Sequence, residues 1–320
     1  MKHPNKIWIA LGVAPLILGC LLFAGVMSFC GWDFYRLRTE NYETNTYEIT
    51  DTIRSIHINT ETAEIVFAPS PDGSCRVVCY EPENRGHAVQ VRDGILTVAA
   101  APLRHWYLSI GIRTESPEIT VYLPGADYDT LCIMGSTGDT CIPEDFSFRQ
   151  ADVTLSTGEL TFLASVSQSL SLKLTTGSLL AEDIRAGSIS LSSSTGSVTA
   201  RNIHCTGEFS LRLSTGRAVL EDIACGSLRS TGSTGDIRLT RVTATDSFFL
   251  ERTTGDVRFD SCDAPSITVT TSTGSVEGTL LTDKVFTAET STGAVDVPRT
   301  ATGGSCRVTT STGDIRLKIA

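Results

Sequence analysis

The chain has 320 residues, 41% of them hydrophobic but only 7% aromatic, and a formal charge of −10. That length holds one elongated domain or two compact ones, and so few rings give a narrow, aliphatic core. Beyond residue 38, 22 basic side chains face 35 acidic ones with no Lys or Arg run among them, which disfavours a nucleic-acid partner.

Residues 1–6 form a short N-terminus with Lys2 and Lys6, and residues 7–30, IWIALGVAPLILGCLLFAGVMSFC, carry no charged side chain. As a helix this stretch would rise about 36 Å, enough to cross a hydrocarbon core with some tilt. The reading is a retained transmembrane helix over 7–30 that contacts the lipid bilayer, with 1–6 cytoplasmic and the bulk outside. Arg36 and Arg38, on the far side, oppose that orientation without reversing it. Two alternatives compete. A cleaved signal has a shorter apolar stretch, of about 7–15 residues. Ile17–Cys20, ILGC, is similar to a lipoprotein cleavage box that would lipidate Cys20, but the apolar LLFAGVMSF continues past it.

Residues 31–46 read as a linker. Residues 47–130 form an N-terminal β region, in which IRSIHI, AEIVFAP, CRVVCY, AVQVRDGILTV and EITVYLP alternate and are parted by turn residues. No linker separates this region from the repeats that begin at residue 131, so it is expected to continue the same stack as irregular coils and to cover one end.

Over residues 131–320, Thr-Gly preceded by Ser or Thr recurs ten times, at Gly138, Gly158, Gly177, Gly196, Gly216, Gly235, Gly255, Gly274, Gly293 and Gly313. The spacing is always 19 or 20 residues, a period that signals a solenoid. Apolar residues recur two and four positions after the glycine, from Leu160/Phe162 through Val295/Val297 to Ile315/Leu317. They also recur seven and five before it, from Leu131/Ile133 through Phe286/Ala288 to Cys306/Val308. The polar or small exceptions are Thr140, Ser230 and Gly278. This period of two predicts strands on both sides of a corner. The glycine supplies the corner's backbone shape, and Ser and Thr bond its backbone. The opposite corner, EDI at 182–184, RNI at 201–203, EDI at 221–223, then DSC at 260–262 and TLL at 279–281, reads as looser and as the place where coil length varies. No segment of helical period fits between the glycines. The fold class expected is all-β: a parallel β-helix-like solenoid of about ten coils plus irregular N-terminal β coils, preceded by one transmembrane helix.

The order SIHINTETAEIVFAPS, VQVRDGILTVAA, EITVYLPGADYDTLCIMGSTGD, followed by apolar strands broken by STGD or STGS, resembles the bacterial putative-adhesin family, a domain of unknown function. The resemblance covers about residues 48–320. It implies a right-handed β-helix-like solenoid on the cell envelope, often behind a membrane helix. It implies no reaction and brings no catalytic residues.

The residues themselves show no HExxH, P-loop, GxSxG or dinucleotide fingerprint. His3, His57, His87, His105 and His204 are scattered. Polysaccharide chemistry on a β-helix needs carboxylates grouped on one face, and the only candidate is the column after the glycine: Asp139, Glu159, Asp236, Asp256 and Asp314. Its reading is turn chemistry and solubility; the nonapeptide of calcium β-rolls is absent. Ice binding would need an outward Thr-x-Thr array, present only at Thr271/Thr273, Thr290/Thr292 and Thr310/Thr312. Leu155, Leu174, Leu213, Arg252, Ser193 or glycine takes the first place elsewhere. Trp106 and Tyr107 are the aromatic pair best suited to stack on a sugar, with packing of the first coils as their alternative role.

Of ten cysteines, Cys20 and Cys30 belong to the apolar segment. The even number outside suggests disulfides, yet Cys306 falls on a core position and Cys262 aligns with Ile184, Ile203, Ile223, Val242 and Leu281, where a thiol is a small apolar filler. Cys75 and Cys79 lie too far apart along one strand to bridge. Cys205 and Cys225, both nine residues after their glycine, are expected to stack on adjacent coils as an unbridged pair. Spacing supports no zinc cluster. No catalytic, cofactor or metal residue is assigned. The expected function is a non-enzymatic, membrane-anchored envelope protein with an envelope-protein or cell-wall glycan partner; the rival is a glycan-acting enzyme or lectin.

Overall fold

The computed structural model describes residues 5–29, 31–32, 41–101 and 115–320. Its one helix, α1, spans Asn5–Phe29 with Pro15 inside, and at 25 residues rises about 37 Å. Its segment Gly12–Phe29 has a mean hydropathy of 2.1, so one helix among the described residues is long and apolar enough to cross a membrane.

Among the described residues, all twenty-two strands belong to a single sheet wound into a β-solenoid. Numbering the coils 1–10 by their glycines, the strands pair parallel and in register, as in Leu172↔Leu191↔Leu211 before the corner and Leu179↔Val198↔Ala218 after it. These residues are buried in one continuous core, where each Leu, Ile or Val contributes roughly 1.5–3 kcal/mol. The exceptions keep the same columns: Thr140 and Ser230 are buried, and Gly278, half-buried, pairs with Phe259 and Leu317.

The signature glycines stack on one another, with φ of 125–152° at all ten. Conformation is only part of the reason. A Cβ on Gly216 would lie 1.7 Å from the carbonyl oxygen of Gly196 on the coil beside it. The corner is therefore closed to any side chain by backbone on both counts.

The expected stacking in chain order holds only through coil 8. Coil 8, with strands Ser266–Thr273 and Val276–Leu280, takes coil 10 as its neighbour: Ile267↔Cys306, Val269↔Val308 and Val276↔Ile315. Coil 9 then lies on the far side of coil 10, through Phe286↔Cys306, Ala288↔Val308 and Val295↔Ile315. The spatial order is 7, 8, 10, 9. Outermost, coil 9 is covered on one side only, so Val295, expected inside, is 45% exposed, and Phe286, Ala288 and Val297 are half-buried. A second correction concerns Cys262, which pairs with Leu280 rather than Leu281 because the register shifts between Phe259 and Cys262; Leu281 faces solvent.

The N-terminal region repeats the device. The coil Ser55–Thr62 and Glu64–Pro69 sits directly on coil 1 through Ile56↔Leu131, Ile58↔Ile133 and Ile65↔Thr140. Strands Ile95–Ala100 and Glu118–Leu123, later in the chain, lie on its outer side. Antiparallel strands then end the stack: His87–Arg92 on Ile95–Ala100, Cys75–Pro82 on Glu118–Leu123, and Tyr42–Ile49 on Cys75–Pro82. Reversed strands cannot continue a parallel coil, so they close this end and cover its sheet edges.

Candidate functional site

Four of the five acidic residues after the glycine, all but Glu159, are bound up in the backbone. Asp139 Oδ1 accepts the N–H of Glu159 at 2.7 Å, Asp236 that of Asp256 at 3.0 Å, Asp256 that of Ser275 at 2.9 Å and Asp314 that of Ala294 at 2.7 Å. Each carboxylate thus caps a corner amide on the coil stacked beside it, the short-range bonding that suits Asp to turns. The threonines before the corner act alike. Thr271, Thr290 and Thr310 Oγ1 donate to the carbonyl oxygens of Gly255, Gly313 and Gly274 at 3.5, 3.0 and 3.1 Å. Thr271 and Thr310 are buried and Thr290 half-buried, so the Thr-x-Thr pairs are not outward arrays.

The opposite corner, expected to be loose, is regular over five coils. Asp183, Asn202, Asp222, Arg241 and Ser261, each six residues after its glycine, have φ of 48–58°, a region Asp and Asn enter more readily than other side chains. Their side chains form a ladder in which Asn202 donates to Asp183, and Arg241 Nε and Nη2 donate to Asp222 at 2.6 and 2.8 Å. Length variation does fall close by, at the register shifts between Phe148 and Gln150 and between Cys225 and Ser227.

Just past this corner Cys205 and Cys225 lie on adjacent coils, one residue beyond the pair His204↔Ala224. Both are buried and unbridged. Burial, with a smaller effect of Cys205, pushes the Cys225 thiol up to about 12. All nine described cysteines are unbridged; Cys262 and Cys306 are buried fillers. Cys30, Trp106, Tyr107 and His105 lie outside the described residues.

The outer face of the strands after the glycine carries what linear reading missed. Positions three and five after the glycine bring Arg238, Arg258, Glu277 and Arg316, and Thr240, Asp260, Thr279 and Lys318, around one groove of about 410 Å³. Four cations meet two carboxylates there, in a chain of net charge −10. A second groove of about 380 Å³, which also uses Arg238 and Arg258, extends the strip to Arg217. Arg316 bonds Glu277 at 2.9 Å and Asp314 at 2.6 Å, and Arg258 bonds Asp256 at 3.3 Å. Arg238 and Lys318 have no ion-pair partner among the described residues. The insertion of coil 10 assembles this groove, because it sets Arg316 beside Glu277, 39 residues away. The signal was present in the third position after the glycine, read coil by coil.

A second polar cluster lies in the N-terminal cap. His87 Nδ1 is 2.6 Å from Glu81 Oε2, and His87 Nε2 is 2.9 Å from Thr60 Oγ1. Glu81 also accepts from His87 N at 2.8 Å and from Asn45 Nδ2 at 2.9 Å. Cys79 adjoins them; burial and then Glu81 push its thiol up to about 12.

Solved structures of low sequence identity align with most of the chain. A putative adhesin from Bacteroides fragilis is 16% identical, over 88% of this chain and 99% of that one, with a TM-score of 0.37. A putative lipid binding protein from Parabacteroides distasonis is 13% identical over 88% and 98%, with a TM-score of 0.48. A putative adhesin from Parabacteroides merdae is 10% identical over 88% and 98%, with a TM-score of 0.42. No curated protein matches the chain in sequence. The family model Toastrack DUF4097 matches residues 53–216 and again 206–320. Covered almost throughout its solenoid by these two matches, the chain belongs to the Toastrack DUF4097 family.

Proposed function

We propose that the chain is a membrane-tethered, non-enzymatic binding rod of the cell envelope, with residues 1–6 cytoplasmic, 7–30 in the bilayer, a linker that ends before the strand Tyr42–Ile49 rather than at residue 46, and the solenoid outside. The observation that carries the reading is the groove of Arg238, Arg258, Arg316 and Lys318. Guanidinium groups bind carboxylate and phosphate through paired donors, so the partner is an anionic glycan or cell-wall polymer. Arg238 and Lys318, not engaged in ion pairs, offer the first contacts. The purified full-length chain in detergent should co-sediment with an anionic cell-wall fraction. Arg238→Ala with Lys318→Ala should weaken this at least about tenfold, since hydrogen bonds to charged groups contribute roughly 1.5–3 kcal/mol each. Added salt should weaken the wild type in the same direction. Binding that is indifferent to both substitutions and to salt would exclude this groove.

An enzyme acting on acidic polysaccharide is a second reading, favoured by Asp260 and Glu277 among the groove's cations. New reducing ends or unsaturated products, formed by the wild type and lost in Asp260→Asn, would establish it.

A further inference from the structure

We infer that Cys79, Glu81 and His87 form a binding site for a divalent transition-metal ion of the zinc class. Cys79 and Glu81 stand two apart on one face of the strand Cys75–Pro82, and His87 opens the next strand in the chain. The turn between them folds a thiol, a carboxyl and an imidazole to one point, with all three donor atoms within 4.8 Å of one another. All three residues are buried, although apolar side chains would close this end of the core without any desolvation cost. Zinc bonds of about 2.3 Å to sulfur and 2.0–2.2 Å to nitrogen and oxygen hold donors roughly 3.3–3.8 Å apart. No pair of donors is more than 4.8 Å apart, so shifts of about 1 Å bring the three to that spacing. His87 Nδ1 and Glu81 Oε2, at 2.6 Å, need to part by less than about 1 Å to admit the ion.

The surroundings fit as well. A ligating histidine usually bonds an outer partner through its other ring nitrogen, and His87 Nε2 meets Thr60 Oγ1. Asn45 Nδ2 holds the second oxygen of Glu81 at 2.9 Å. Cys79 Sγ has no hydrogen-bond partner among the described residues and adjoins the same point. Sulfur, nitrogen and oxygen together suit zinc or cobalt rather than calcium or magnesium, which take oxygen alone. Binding releases the Cys79 thiol proton to solvent and leaves His87 neutral, with its N–H on Nε2 donated to Thr60. The sequence spacing C-x-E-x₅-H matches no common zinc pattern, which is why spacing alone pointed away from a metal.

The test uses the full-length chain in detergent, stripped with chelator and titrated with Co²⁺. One equivalent should bind, with a sulfur-to-cobalt charge-transfer band in the near ultraviolet that Zn²⁺ abolishes. Cys79→Ser should lose the band, and Thr60→Val should weaken binding about tenfold or more. Should Cys79→Ser not fold, Zn²⁺ protection of a single thiol against alkylation, mapped to Cys79 in the wild type, reads the same contact. A folded wild type with no cobalt band, a band that persists in Cys79→Ser, or protection mapped to another cysteine would overturn the site and leave a buried hydrogen-bonded cluster.

Discussion

Lys284 Nζ lies 2.6 Å from Asp263 Oδ1, although Lys284 opens coil 9 and Asp263 precedes coil 8, with coil 10 stacked between those coils. The ammonium is buried, at 2% exposure, and also donates to Thr282 Oγ1 at 2.6 Å; Thr282 in turn donates to Asp263 Oδ2 at 2.9 Å. The three side chains tie the lead-in of coil 8 to the start of coil 9 and so hold the slot that coil 10 fills. Asp263→Ala would leave a buried ammonium without its carboxylate. It is expected to cost about 3 kcal/mol, whereas Lys284→Met removes the charge together with its desolvation cost and leaves Asp263 able to reach water. Urea unfolding of both variants checks the order. Lys284→Met being the more damaging would mean that the pair does not act as a staple.

Coil 10 fills a slot, so its loss should differ from the fraying of an end. A chain ending at Gly303 leaves coils 8 and 9 without a shared neighbour, exposing Ile267, Val269 and Val276 beside unpaired strand edges. Limited proteolysis should then cut within 281–303, a stretch expected to be protected in the full chain. Equal resistance in both would show that coil 9 can close onto coil 8 by itself.

The reason chain order misled is physical. Coils 9 and 10 offer the same apolar pattern, Phe286, Ala288 and Val295 against Cys306, Val308 and Ile315, so either matches coil 8 by periodicity. The difference lies in Lys284, a lone long cation at the head of coil 9, which a hydrophobic pattern does not weigh. The glycine corner was legible because one steric demand recurs ten times. The Thr-x-Thr pairs were misread because the inward phase set by Val269 and Val308 carries on two residues further, to Thr271 and Thr310. The groove depends on side chains one to three coils apart, and Arg316 meets Glu277 only through the insertion. The cluster at Cys79, Glu81 and His87 arises from a chain reversal whose convergence no spacing rule describes.

Gly216→Val tests the corner at its tightest. With φ of 137° and Gly196 O at 1.7 Å from a built Cβ, strain and overlap add, and the loss should exceed the roughly 1–3 kcal/mol of conformational strain alone. Even Gly216→Ala should lower the melting temperature clearly. A Gly216→Ala chain that melts with the wild type would mean the coils can part at this corner.

Asp236 separates capping from calcium binding. Asp236→Asn keeps an oxygen that can accept the N–H of Asp256 and should cost little. Asp236→Ala removes the acceptor and should cost about 1 kcal/mol. Neither melting temperature should respond to Ca²⁺ or chelator. A Ca²⁺-dependent rise in the wild type that is lost in Asp236→Asn would assign the column to the ion instead.

Arg252 is a charge in the core with no carboxylate partner among the described residues. It occupies the third position before Gly255, where other coils place Leu155, Leu174 and Leu213, and it is buried. Space for it comes from coil 6: a Cβ on Gly232 would lie 2.7 Å from Arg252 Nη1. Nη2 donates to Ser230 Oγ at 2.8 Å and Nη1 to the Glu251 carbonyl at 3.0 Å. Burial pushes the guanidinium down to about 10, so folding disfavours its charged form. A base lowered in this way destabilises the fold wherever it is charged, fully below its folded value and less as pH rises above it. Arg252→Met keeps most of the volume and removes the charge, and replacing buried charge by apolar volume is often neutral or stabilising. Its stability should equal or exceed that of the wild type at neutral pH. Any advantage should narrow above about pH 10. Denaturant unfolding of both chains across that range decides the matter: a wild type clearly more stable at neutral pH would mean that the bonds to Ser230 and Glu251 outweigh the cost of burying the charge.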